Sequence, residues 1–163
     1  VVVVVVVVVG WLVCYKGLTM AEKKKERIVL LQRRERFSAC HRLHSFELTD
    51  EQNKEVYGKC NNPNGHGHNY ELIVTLKGPV NPVTGMVINL SDLKKIMREK
   101  VIFLLDHKNI DKDVEYFVQE RIPSTTENLA IFIWDQLYSS LSSLLYEVRV
   151  EETENNFVIY RGE

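Results

Sequence analysis

His66–Gly78 reads HGHNYELIVTLKG, and its reading decides the fold. Tyr70, Leu72, Val74 and Leu76 recur at every second position, the period of a strand with one apolar face. Counting back by two puts His68 and His66 on that same face. Upstream, Phe37, Ala39 and His41 share a face in FSACH, at the end of a strand expected over 28–41. Three of the five histidines therefore continue apolar faces. One reading makes them core histidines satisfied by hydrogen bonds. The other makes them metal ligands, because imidazole suits zinc, and three protein ligands with an open fourth position make a catalytic site.

Outward from this strand, residues 42–59 are polar and are expected to form an irregular loop carrying Cys60 at its far end. After Gly78, Asn81-Pro82 and Thr84-Gly85 mark a turn, and Met86–Asn89 is expected to pair back as a strand. Ser91 is the expected N-cap of a helix, with Leu93, Ile96, Met97, Val101, Leu104 and Leu105 at helical spacing. Ser124 and Glu127 have capping-box spacing before a second helix striped by Leu129, Ala130, Ile133, Trp134, Leu137 and Leu141. Tyr146–Glu152 and Phe157–Arg161 flank a turn and read as a hairpin. Hairpin-joined strands with helices grouped between them predict an α+β domain: an antiparallel sheet with two helices on one face.

The chain has 163 residues, enough for one domain with a proper core. Its net charge of −1 gives no reason to expect nucleic acid as a partner. Cys14, Cys40 and Cys60 show no CxxC spacing, so a disulfide framework is not suggested, and a cytoplasmic location is expected. GxGxxG, GxxxxGK[ST] and GxSxG are all missing. Nine valines open the sequence, followed by Gly10-Trp11-Leu12-Val13. This run is shorter than the roughly 20 residues of a spanning helix and lacks a basic leader. Residues 1–19 are expected to be a low-complexity extension outside the functional domain, with 20–163 as that domain and no membrane contact. A membrane anchor is the other reading of the extension.

Four further positions could carry chemistry. Glu152 has the parity of Val148 and Val150, so its carboxylate falls on the apolar face, where it needs a partner such as a ligand edge with two N–H donors. The alternative is a strand end open to water. Cys60, brought back by the turn-rich NNPNG, could be a thiolate base or nucleophile, or a fourth ligand that closes the metal site. Asp106-His107, where the first helix ends, could be an acid–base pair or ordinary helix termination. Cys40 has the opposite parity to His41 and reads as a buried, inert thiol. His44 shows no partner in the sequence.

Together the runs FSACHRL, GKCNNPNGHGHNY, NPVTGMVINLSDLK, LDHKN, STTENLAIFIWD and VRVEETENN resemble the 6-pyruvoyl-tetrahydropterin synthase family over roughly 27–163. Five residues separate Cys60 from His66, as in that family; the related carboxy-tetrahydropterin synthases have three. The resemblance implies a tunnelling fold, with sheets joined into an intersubunit β-barrel and a homohexamer built as a dimer of trimers. It implies zinc on His41, His66 and His68, with Cys60 as catalytic base and Asp106 and His107 completing its relay. It implies Glu152 as pterin anchor, with Thr125, Thr126 and Glu127 in the pterin pocket. The implied reaction converts 7,8-dihydroneopterin triphosphate to 6-pyruvoyl-tetrahydropterin. The carboxy-tetrahydropterin reaction and a non-catalytic zinc- or pterin-binding protein are the alternatives. Asn89, where relatives often have Asp, and Cys40, where a small residue is usual, depart from the pattern.

Overall fold

The computed structural model describes residues 26–163, so the expectation for residues 1–19 lies outside the described residues. Two 14-residue strands, β1 (Ile28–His41) and β2 (His66–Pro79), pair antiparallel along their whole length. The five-stranded sheet has the order β3-β1-β2-β4-β5, where β3 is Lys108–Asn109, β4 is Leu145–Glu151 and β5 is Phe157–Tyr160. Only the short β3 runs parallel to its neighbour, β1. The expected period holds: Phe37, Tyr70, Leu72, Val74, Leu76, Val148 and Val150 are all buried on one face. Ile73 and Thr75 on the opposite face are buried too, because β2 is central and flanked by the side chains of both neighbours.

Helices cover the apolar face. α2 (Leu90–Met97) runs through a π-turn (Arg98–Ile102) into α3 (Phe103–Leu105). Leu93, Met97, Val101 and Leu105 are fully buried at strict four-residue intervals. In a regular helix of 3.6 residues per turn, each such step drifts by about 40° around the axis. The wider π-turn takes up that drift and keeps the stripe on the sheet. The cap is Asn89, whose side chain accepts the Ser91 N–H at 2.8 Å, and not Ser91 itself. An Asp at this position could accept the same bond. Residues 86–89 form no strand; the turn closes through the Asn81 N–H to the Met86 carbonyl instead.

Helix α6 (Thr126–Leu141) buries Leu129, Ala130, Ile133, Trp134, Leu137 and Leu141, the expected stripe. Its cap is Thr125, one residue later than expected, which frees Ser124 for the site described below. Between the two long helices lie α4 (Ile110–Asp113) and α5 (Glu115–Glu120), in a stretch that reads only as a polar connection. The expected loop 42–59 contains α1 (Asp50–Tyr57). That helix is held by its ends: Thr49 and Gln52 form a capping box, and the buried Asn53 amide donates to the Ser45, Leu48 and Thr49 carbonyls.

Candidate active site

The β1–β2 register builds the site. His41 lies directly opposite His66, and Ala39 opposite His68, so three imidazoles converge where the two strands begin to part. Because side chains alternate, a slip of one residue would turn all of them to the other face. One ring nitrogen from each of His41, His66 and His68 lies within 4.8 Å of the others, a spacing fit for a single metal ion. Gly65 makes this approach possible. It sits at φ +72°, and a β-carbon there would come within 2.9 Å of the His41 carbonyl oxygen.

His41 is fully buried, and its Nδ1 lies 2.7 Å from the Ser124 carbonyl. A carbonyl only accepts, so Nδ1 carries the proton and Nε2 presents its lone pair to the site. The buried Tyr70 hydroxyl donates to that lone pair at 3.4 Å. Burial and the nearby Glu152 push the Tyr70 phenol far above its usual range. His66 Nδ1 and His68 Nε2 are buried with no hydrogen-bond partner among the described residues. Orphaned nitrogens of this kind are costly unless a ligand satisfies them. Burial lowers the pKa of all three histidines, so they are held neutral, the form in which imidazole ligates. The donor set thus fits a metal such as zinc, and a backbone carbonyl orients His41 as second partners commonly orient metal-ligating histidines.

Glu152 follows the last residue of β4. Its Oε1 lies 3.5 Å from His41 Nε2 and 3.7 Å from His68 Nε2, and it accepts the Thr126 hydroxyl at 3.0 Å. It stands just past the strand end, and its carboxylate lies towards the histidines. Glu152, Thr125, Thr126 and Glu127 line one cavity of about 640 Å3, together with Leu43 and Asn156.

Cys60 is half-buried on the 3-10 turn Gly58–Asn61 and falls outside the three-histidine group. Its carbonyl accepts the Leu43 N–H at 3.0 Å. The next residue, Asn61, donates to the Leu43 carbonyl and accepts from Arg42. The cysteine turn is thereby tied to the residues that follow His41. Asn61 also donates to His44 Nδ1, so His44 has the partner that the sequence did not show.

Asp106 and His107 form a pair, with Oδ2 2.9 Å from Nδ1. The Ser38 N–H donates to Asp106 Oδ1 and lowers its pKa, and the Ser38 carbonyl accepts the His107 N–H, fixing a left-handed backbone at φ 60°. His107 is 83% exposed and lines a recess with Cys40, Ser38, Asn69 and Lys108. Cys60 is not among the residues lining it. Cys40 is half-exposed there and not buried as expected, because its parity turns it away from the helix-covered face and one of its strand neighbours, Gly67, has no side chain.

Fold and site define an α+β enzyme with a three-histidine group fit to hold a metal ion. The chain belongs to the 6-pyruvoyl tetrahydropterin synthase family, whose model matches residues 30–163. It is 60% identical over 139 residues to the 6-pyruvoyl tetrahydrobiopterin synthase of Poecilia reticulata, covering 85% of this chain and 93% of that protein. It is 56% identical over 134 residues to the Homo sapiens protein of the same name, covering 82% and 91%. The solved structure of Caenorhabditis elegans 6-pyruvoyl tetrahydropterin synthase superposes with a TM-score of 0.80 at 50% identity, covering 85% of this chain and 98% of that one. The fold is therefore the tunnelling fold of these enzymes. Among the described residues no helix is long and apolar enough to cross a membrane.

Proposed function

We propose that this chain is a zinc-dependent lyase converting 7,8-dihydroneopterin triphosphate to 6-pyruvoyl-tetrahydropterin and inorganic triphosphate, in tetrahydrobiopterin synthesis. It would act in the cytoplasm as a dimer of trimers, with residues 20–163 as the working domain and sheets closing β-barrels between subunits. The observation that carries the reading is the convergence of three neutral imidazoles with two orphaned nitrogens beside a carboxylate-lined cavity. No hydride carrier is required, because the pterin ring is reduced as its side chain is oxidised. His41, His66 and His68 would hold the zinc, which would supply Lewis acidity to the reacting side chain.

The chain's own residues do the rest. Glu152 accepts the two N–H donors of the pterin edge, in the cavity bounded by Thr125, Thr126 and Glu127, and so sets the side chain over the histidines. The Cys60 thiolate takes the proton from the side-chain carbon. His107, oriented by Asp106, returns protons. The exposure of that pair and its separate recess support a relay that joins Cys60 of one subunit to Asp106–His107 of another.

Turnover with and without zinc tests the reading. The expected result is triphosphate release that stops on chelation and returns with zinc, and a product with the mass of 6-pyruvoyl-tetrahydropterin. A carboxy-tetrahydropterin product would replace this reaction with its relative's. Absence of turnover by folded, zinc-loaded protein would overturn it. Glu152→Gln is expected to weaken pterin binding by about tenfold to a hundredfold, since a charge-assisted bond contributes about 1.5–3 kcal/mol, while zinc content is kept. Loss of zinc would make Glu152 a ligand instead.

A further inference from the structure

A second cavity, of about 480 Å3, opens beside the histidines and is not used by the chemistry above. The backbone that follows His41 borders both: Leu43 lines the Glu152 cavity, and its neighbour Arg42 lines this one. Asn64 and Gly65, immediately before His66, also line it. Three cationic residues line it, Lys112, Arg121 and Arg42, the last with its guanidinium also donating to the Asn61 carbonyl and side-chain oxygens, against one carboxylate, Asp111, which accepts the Arg42 N–H at 2.6 Å. Neither Lys112 nor Arg121 pairs with a carboxylate among the described residues.

Arg121 takes the left-handed conformation, φ 54° and ψ 33°, uncommon for a residue with a β-carbon. Its guanidinium stands 4.4 Å from the centroid of the Phe46 ring. Its N–H donates to the Phe117 carbonyl at 3.1 Å, so this left-handed residue ends α5 where its side chain lines the cavity. His44 adds a donor: the Asn61 amide donates to its Nδ1, so its proton sits on Nε2. The apolar wall includes Phe117, Val118 and Ile122. Low-dielectric walls around charges of one sign focus the field on an anion.

We propose that this cavity, through Arg121, Lys112 and Arg42, holds the triphosphate of the substrate. The assignment rests on the proposed reaction. The ring then lies against Glu152, the side-chain oxygens at the histidines, and the polyanion beyond Arg42 and Gly65. Separation of charge is the gain: the pterin anchor is anionic and would repel a triphosphate placed with it.

Titration of the full chain with sodium tripolyphosphate tests the site without any chemistry. Arg121→Gly keeps the left-handed backbone while removing the cation and its contact with Phe46, and Lys112→Ala, which leaves that contact in place, is the second variant. Each is expected to weaken tripolyphosphate and dihydroneopterin triphosphate by about tenfold or more, leaving unphosphorylated dihydroneopterin and zinc content unchanged. Failure of the wild-type chain to bind tripolyphosphate, or equal binding by the variants, would overturn the proposal. Weakened tripolyphosphate with unchanged affinity for dihydroneopterin triphosphate would also overturn it, marking a site for a separate phosphorylated ligand. Intact tripolyphosphate binding without turnover would refute the reaction and leave the anion site standing.

Discussion

His66→Ala is expected to abolish stoichiometric zinc binding and to lower turnover by on the order of a thousandfold. The metal contributes several kcal/mol of charge stabilisation to such reactions, and each 1.36 kcal/mol is a factor of ten. Two ligands rarely retain zinc where three were needed, since structural and catalytic sites use at least three protein donors. The substitution is also a clean one. His66 is only half-buried and has no hydrogen bond from Nδ1, so its loss leaves no polar group stranded. His41→Ala would confuse the result. His41 is fully buried, and its removal would leave the Ser124 carbonyl and the Tyr70 hydroxyl without their partner, at about 1–3 kcal/mol each. Metal content by mass spectrometry and the thermal unfolding midpoint separate the two effects. Retained stoichiometric zinc in a folded His66→Ala protein would remove His66 from the ligand set.

The sheet and its two long helices were legible because their signals are periodic. Tyr70 to Leu76 has strand period, and Leu93 to Leu105 has helix period. The same count puts His41 on the apolar face of its strand and His66 and His68 on that of theirs, and register brings them together. What the sequence hid is made by hydrogen bonds. Helix α1 buries only Asn53, so no apolar stripe announces it; Thr49 and Gln52, three residues apart, were the signal to read. The Ser124 carbonyl, which fixes the His41 tautomer, is backbone and leaves no trace in residue type. Ser124 reads as a cap as readily as Thr125 beside it, and residue type does not choose between them. The second cavity depends on Arg121, whose role comes from a left-handed backbone that an arginine does not advertise.

Cys60→Ala is expected to lose turnover by about a hundredfold to ten-thousandfold, the usual contribution of a positioned general base, while zinc and pterin binding persist. The structure makes these effects separable. Cys60 is held by its backbone, through its carbonyl and the Leu43 N–H, and alanine keeps that bond. Asn61, whose side chain ties the turn to Arg42, Leu43 and His44, is untouched. The sulfur also stands outside the group of three imidazoles, so the metal site does not need it. If zinc is lost with the thiol, Cys60 is a fourth ligand, the site is closed, and the base must be sought elsewhere. If zinc stays and turnover stays, the proton is taken by another group, and Cys40, half-exposed in the recess with His107, becomes the residue to replace next. Loss of turnover with the metal retained would leave Cys60 as the base, which a three-ligand site with an open position requires from outside its own ligands.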